Sequence, residues 1–157
     1  MASGIEEILR GVRIADVKPE SASPVSPSTT LGEVYRLLDE GSRGAVVVCE
    51  GDRIVGIFTE RDVLYRTSLE GIDLDTPISE LMTRDPESVP VTTRLADAVR
   101  AMTEGGFRHL PLDDGDGCCA GILTSRDVLR FLADHFSEAV LNLPPRLHQR
   151  MRRPEGG

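Results

Sequence analysis

Two short stretches of this chain place a hydroxyl and a carboxylate at the same point of a predicted strand-to-helix junction. Residues 56–64, GIFTERDVL, recur as residues 121–129, GILTSRDVL, with seven of the nine positions identical. Such a dense match within one short chain indicates an internal repeat. Each copy runs from apolar strand residues into a helix whose first turn carries a threonine and an aspartate. These residues are Thr59, Asp62, Thr124 and Asp127.

A threonine and an aspartate at this spacing can bind a ligand or cap a helix. An aspartate accepts hydrogen bonds from both hydroxyls of a vicinal diol such as that of ribose. The unpaired N–H groups of a helix N-terminus favour phosphate. The same spacing is a helix-start signature, which would contribute about 1 kcal/mol without any ligand. The two interpretations are compatible, and no catalytic constellation accompanies the motif, so we expect binding without turnover.

Composition limits the class of partner. The chain has 157 residues and a formal net charge of -8, whereas nucleic-acid backbones are bound by clustered Lys and Arg. We therefore expect nucleic acid not to be the main partner. No apolar run approaches the roughly 20 residues that span a bilayer, and no signal core is present. We expect a cytoplasmic protein whose cysteines, Cys49, Cys118 and Cys119, are reduced and hold no metal.

The repeat extends well beyond the motif. A shift of 64 residues aligns Ile14 with Ile78 and Val25 with Val89, and one extra residue near position 119 changes the shift to 65 at the motif. Both copies predict a short strand, an amphipathic helix, a hairpin and a closing helix.

The amphipathic helices carry start and stop signals. Apolar residues recur at helical spacing over residues 31–38 and again over residues 95–102. Thr30 and Glu33 have the spacing of a capping box. Gly41 and the pair at 105–106 predict a left-handed helix stop in each copy.

These patterns predict an α+β fold in which two tandem β-α-β-β-α repeats pack through their sheets with pseudo-twofold symmetry. About 60 residues bury too little surface to be stable alone, so the copies are expected to form one unit. The predicted parts are an N-terminal helix (1–13), a first repeat (14–70), a linker (71–77), a second repeat (78–135) and a C-terminal tail (136–157). The tail is expected to be partly ordered and solvated, or to act as a partner-binding or dimer-exchanged arm.

The repeat resembles a pair of CBS domains, the regulatory modules named after cystathionine beta-synthase. The resemblance rests on two copies of Gly-apolar-x-Thr-x-x-Asp in register and on residues 110–112, Leu-Pro-Leu, similar to the family's Leu-Pro-Val strand. It covers about residues 14–133. It implies two clefts between the domains, where many members bind AMP, ADP, ATP or S-adenosylmethionine as a ligand rather than as a catalytic cofactor.

The resemblance also implies roles for the motif residues. The aspartate of each motif would hold the ribose hydroxyls, and the threonine would contact ribose or phosphate. One cleft would then use Thr59 and Asp62, and the other Thr124 and Asp127.

Basic residues just before the Leu-Pro strand meet phosphates in some nucleotide-binding members. Arg108 and His109 match those positions, but neighbouring strand residues point to opposite faces, so only one of them is expected to face a given cleft. His109 also fits an interface histidine. The first copy has Gly44 and Ala45 instead, with only Arg43 close by, which leaves open whether both clefts are occupied.

We therefore expect a regulatory or energy-sensing module that binds an adenosine ligand between its domains and signals to a separate, unidentified protein. The resemblance implies a homodimer. Two alternatives stay open: a structural dimerisation module with empty clefts, and a nucleic-acid-associated regulator suggested by the basic residues 146–153. An enzyme is the least favoured class, and no metal site is expected.

Overall fold

The computed structural model describes residues 4–41, 44–67 and 71–136. Helix α1 spans Gly4–Gly11, and a 3-10 turn follows at Ile14–Val17. The first repeat continues with α2 (Leu31–Glu40), β1 (Ala45–Glu50), β2 (Arg53–Thr59) and α3 (Glu60–Asp62), which runs on as a π-helical segment at Val63–Thr67. The second repeat contains a 3-10 turn at Ile78–Glu80, β3 (Thr83–Arg84), β4 (Val89–Pro90), α4 (Leu95–Gly105), β5 (His109–Asp113), β6 (Cys119–Thr124) and α5 (Ser125–His135).

The strands form two three-stranded sheets, ordered β1-β2-β3 and β4-β5-β6. In each sheet an antiparallel hairpin places the first residue of one strand opposite the threonine that precedes the closing helix. Ala45 lies opposite Thr59, and His109 lies opposite Thr124. The predicted α+β fold with a hairpin in each repeat is confirmed, and the equivalent registers reflect the pseudo-twofold relationship of the copies.

Each repeat places its opening segment in the hydrophobic core of the other. Ile14 is fully buried and belongs to the cluster that contains Leu110 and Leu123 of the second repeat. Ile78 is fully buried with Phe58 of the first repeat. Because burial of these apolar side chains requires both copies, neither core is complete without residues from the other repeat. The boundaries at 14–70 and 78–135 stay predictions.

A third cluster joins the two sheets. Its buried members are Ala45, Val47, Cys49, Ile57 and Ile122, so it draws on both repeats. Backbone hydrogen bonds connect the hairpins beside it: the N–H of Ile54 donates to the carbonyl of Gly117 at 3.2 Å, and the N–H of Cys119 donates to the carbonyl of Asp52 at 2.8 Å. The repeats therefore pack through their strands.

The helix signals hold with one exception. Thr30 and Glu33 form the predicted capping box, and Gly106 ends α4 in the left-handed region with φ +68. The prediction of a left-handed stop at Gly41 is wrong, because that residue is extended with φ -102. Glycine suits this position for another reason: a Cβ there would lie 2.9 Å from the carbonyl oxygen of Leu37. None of the helices in the described residues is both long and apolar enough to span a bilayer.

Candidate ligand-binding cleft

Both copies of the motif cap the helix that follows them. In the first copy the hydroxyl of Thr59 accepts from the N–H of Asp62 at 3.3 Å, and Oδ2 of Asp62 accepts from the N–H of Thr59 at 2.9 Å. Thr124 and Asp127 repeat these contacts at 3.1 and 2.9 Å. The capping interpretation therefore applies to both copies, and each aspartate has its Oδ1 oxygen left for another partner.

The Oδ1 oxygens of the two aspartates have different surroundings. Nε of Arg66 lies 3.4 Å from Oδ1 of Asp62, and the Asp62 side chain is 17% exposed. Nη2 of Arg130 donates to Oδ1 of Asp127 at 2.7 Å, and that side chain is only 4% exposed. Asp62 can accept a hydrogen bond from a ligand, whereas Asp127 is enclosed in a short charge-assisted pair.

A cavity of about 480 Å³ lies between the repeats beside Asp62. This volume is within the usual range for small-molecule sites. Of the residues predicted for binding, the cavity is lined by Thr59, Asp62, Arg108 and His109. The structure thus brings the motif of the first repeat together with the basic residues of the second repeat.

Arg108 and His109 both line this cavity, although strand alternation predicted only one of them there. The reason is that β5 begins at His109, so Arg108 precedes the strand and does not follow its alternation. The carbonyl of Arg108 accepts from the N–H of Ser125 at 3.0 Å, which fixes its backbone against the start of α5. The equivalent bond in the first copy joins the carbonyl of Gly44 to the N–H of Glu60 at 2.9 Å.

Arg61 also lines the cavity and bridges the two repeats. Its Nη1 donates to the carbonyl of Gly106 at 3.3 Å, at the C-terminal end of α4. A cation at a helix C-terminus is favourably placed, because the last carbonyls carry partial negative charge. The contact between Arg61 and Gly106 depends on the packing of the two repeats, because Gly106 lies 45 residues further along the chain.

Other lining residues had no functional assignment in the sequence. Gly44 has φ +70 and faces the imidazole of His109. Asp85 and Glu87 line the cavity from the segment between β3 and β4. The 64-residue shift aligns that segment with residues 21–23, which indicated only an extended approach to a strand. The positive φ of Asp85, +45, is a local feature that the sequence did not reveal.

The pseudo-symmetric side of the molecule differs. A second cavity of about 220 Å³ is lined mainly by apolar residues, among them Ala22, Ala45, Val47 and Ile122. Neither Thr124 nor Asp127 lines either of these two cavities. Arg43, the remaining predicted residue, lies outside the described residues. Within the described ranges, no group of three or more His, Cys, Asp or Glu side chains could hold a metal ion.

A family model described as CBS domain matches residues 16–68 and 78–134. An uncharacterised 17.7 kDa protein of Acidianus ambivalens is 34% identical over 123 residues, which cover 78% of this chain and 74% of that protein. The match covers less than two thirds of the length of several other curated relatives. One of them is a protein of Methanopyrus kandleri, of whose length 63% is covered.

Two similar solved structures are described as complexes with AMP. The structure of CBSX2 with AMP has 29% sequence identity and a TM-score of 0.71, and the match covers 79% of this chain and 98% of that one. A CBS domain protein, PAE2072 from Pyrobaculum aerophilum, complexed with AMP, has 25% identity and a TM-score of 0.69, with coverage of 78% and 99%. This chain is therefore similar in fold to proteins whose structures contain AMP.

Proposed function

Because this chain belongs to the CBS domain family, with a domain match in each repeat, we propose that it is a regulatory module binding an adenine nucleotide between its repeats. The observation that carries the proposal is the cavity of about 480 Å³ in which Thr59 and Asp62 face Arg108 and His109. Similar structures contain AMP. The sequence also predicted S-adenosylmethionine as a possible ligand. Both of those structures are described as complexes with AMP, and we do not propose S-adenosylmethionine as the ligand.

The chemistry of the lining supports each part of such a ligand. The Oδ1 oxygen of Asp62 suits a ribose hydroxyl, because a carboxylate accepts hydrogen bonds and this oxygen is not used by the cap. The guanidinium of Arg108 and the imidazole of His109 suit a phosphate. Ile57 and Pro111 supply apolar surface for the base. These roles are proposals for this chain.

We propose one nucleotide for each chain, bound in the Asp62 cleft. The Asp127 carboxylate is 4% exposed and pairs with Arg130, so using it for a ligand would require that pair to break. Asp127 is almost fully buried, so its carboxylate would lose the compensation of the Arg130 guanidinium, and an uncompensated buried charge is costly. Thr124 and Asp127 are therefore expected to stabilise α5.

The cleft also explains how binding would become a signal. Its walls come from both repeats, so a ligand that contacts both walls favours one relative arrangement of the repeats over others. A separate protein would detect that arrangement.

Dimerisation is also part of the proposal. Leu64 and Leu129 occupy equivalent positions in the segments that close the two repeats, and each side chain is 66% exposed.

Titration calorimetry with AMP, ADP, ATP and S-adenosylmethionine tests the proposal. We expect one AMP for each chain, and we expect Asp62→Asn to weaken AMP binding at least ~10-fold, or about 1.4 kcal/mol. Glu33→Gln is the matched control, because it alters an equivalent capping box that does not line the cavity. Asp127→Asn should lower stability and leave the affinity for AMP unchanged.

Absence of binding by all four compounds would favour the structural dimerisation module. The nucleic-acid alternative depends on residues 146–153, which lie outside the described part of the chain. Nucleic-acid binding at physiological salt that disappears on removal of this tail would support that alternative. The cytoplasmic location and the absence of catalysis stay predictions.

A further inference from the structure

Among the described residues, the candidate cleft carries more negative than positive side chains. Two guanidinium groups of this part of the chain line it, those of Arg61 and Arg108. Four carboxylates line it as well, those of Glu60, Asp62, Asp85 and Glu87. With His109 neutral, these groups have a combined formal charge of −2. A site that binds an anionic ligand is thus partly walled by groups that repel anions.

Asp85 and Glu87 are the carboxylates that matter most for this balance. Within the described residues, neither carboxylate has a hydrogen-bond donor or an ion-pair partner, whereas Asp62 is used by the helix cap. The N–H of Asp85 donates to the carbonyl of Val55 at 3.1 Å, which holds the segment against the first sheet. An aspartate tolerates the left-handed conformation found here, with φ +45. The acidic segment therefore has a defined place on the wall.

The dimensions of the cleft bring these charges within reach of any bound phosphate. The cavity volume is about 480 Å³. A sphere of that volume is roughly 10 Å across, which is close to the Debye length in physiological salt. One phosphate can be held beside Arg108 and His109. Each further phosphate adds negative charge within range of Asp85 and Glu87. The other guanidinium of the described lining, that of Arg61, already donates to the carbonyl of Gly106 at 3.3 Å.

We propose that this cleft selects its ligand by phosphate charge, binding a nucleoside monophosphate in preference to the di- and triphosphate, with Asp85 and Glu87 as the specificity-determining residues. The inference rests on the proposed function. The 64-residue shift aligns these two acids with Ser21 and Ser23, which are neutral. The acidic wall is thus a property of this one cleft and is not required by the repeated fold.

The test is calorimetric titration of AMP, ADP and ATP, in EDTA and again with Mg²⁺. We expect wild-type protein to bind AMP at least ~10-fold more tightly than ATP, equal to about 1.4 kcal/mol. The double variant Asp85→Asn/Glu87→Gln should reduce the ratio of the ATP Kd to the AMP Kd by about 3- to 10-fold, mainly because ATP binds more tightly. The control Glu7→Gln/Glu80→Gln removes the same charge from exposed residues outside the cleft and should leave the ratio unchanged.

Three results would overturn the inference. ATP could bind wild-type protein as tightly as AMP, or the double variant could leave the ratio unchanged. Alternatively, Mg²⁺ could make ATP the tighter ligand and the double variant could abolish that gain, which would mean that the acids hold a metal ion. In each case AMP binding itself would uphold the proposed function. Failure of AMP to bind would instead refute the proposed function and this inference together.

Discussion

The imidazole of His109 packs against the backbone of Gly44 across the junction between the two repeats. A Cβ on Gly44 would lie 3.0 Å from Nε2 of His109, closer than most Cβ contacts, and 3.5 Å from Oε2 of Glu60. Gly44 also has φ +70, a conformation that L-residues rarely adopt. The missing side chain therefore serves both the turn into β1 and the position of a histidine that lines the candidate cleft.

Gly44→Ala should lower both stability and ligand affinity. The left-handed conformation costs an alanine about 1 kcal/mol, and the new methyl group forces the imidazole of His109 to shift within the cleft wall. Thermal unfolding and AMP calorimetry measure the two effects. Gly51→Ala is the matched control, because Gly51 has φ +58 and nothing lies within 4 Å of its Cβ position. The control should lose similar stability and keep its affinity; equal affinity losses in both variants would contradict this role of Gly44.

Ile14→Ala should destabilise the core of the second repeat, although Ile14 lies at the start of the first repeat. The side chain is 0% exposed and packs in the core that contains Leu110. Truncation of a buried isoleucine usually costs 2–5 kcal/mol. Because each core contains residues from both repeats, we expect urea to unfold the protein in a single transition. Circular dichroism and tyrosine fluorescence should report the same midpoint for that transition.

Ile78→Ala is the reciprocal control for this exchange of segments. Its side chain is also 0% exposed but lies in the core of the first repeat, with Phe58. Both variants should shift the same cooperative transition. Two separate transitions, with each variant moving only one, would show that the repeats unfold independently.

Charge placed on the closing segments should produce a monomer if they form the proposed dimer surface. Leu64→Glu/Leu129→Glu puts a carboxylate at each of two equivalent exposed positions, where burial in an interface would be unfavourable. Light scattering after size-exclusion chromatography measures the mass. Leu74→Glu is the control, because Leu74 is 54% exposed but lies outside the closing segments. A double variant that keeps the wild-type dimeric mass would exclude this surface.

Cys49 should resist thiol reagents in the folded protein. Burial, followed by the neighbouring Cys119 thiol, raises the pKa of Cys49 from 9.0 to about 12. A shift of that size lowers the reactive thiolate fraction about 1000-fold near neutral pH. Alkylation with peptide mapping, in buffer and in urea, should show Cys49 modified only after unfolding. Modification of folded protein at the unfolded rate would contradict the expectation.

The same shift predicts a loss of stability in alkali. The folded pKa lies above the unfolded value, so between pH 9 and 12 the folded state keeps a proton that the unfolded state has lost. The contribution is fully present below pH 9 and decreases as pH rises toward 12. Urea unfolding across that range measures it, and Cys49→Ala should flatten the decline.

Several features of the site were predictable because they depend on a few neighbouring residues. Thr59 and Asp62 have the spacing of a capping box, and both capping contacts form as that spacing requires. The sequence even contains a sign of the difference between the copies. An arginine follows Asp62 after four residues as Arg66, but it follows Asp127 after three residues as Arg130. Spacing alone did not reveal which aspartate would be nearly fully buried and held in the shorter ion pair.

By itself, the sequence determined the repeat, the hairpins, the capping boxes and the family, since periodicity and capping act over spans of a few residues. The tertiary structure decided which cleft is open, that Arg108 and His109 share it with Asp62, and that Ile14 and Ile78 exchange cores. These features depend on packing between residues far apart in the chain. The two copies share the Thr-x-x-Asp pattern, and only the folded chain shows that Asp62 lines the cavity whereas Asp127 is 4% exposed beside Arg130.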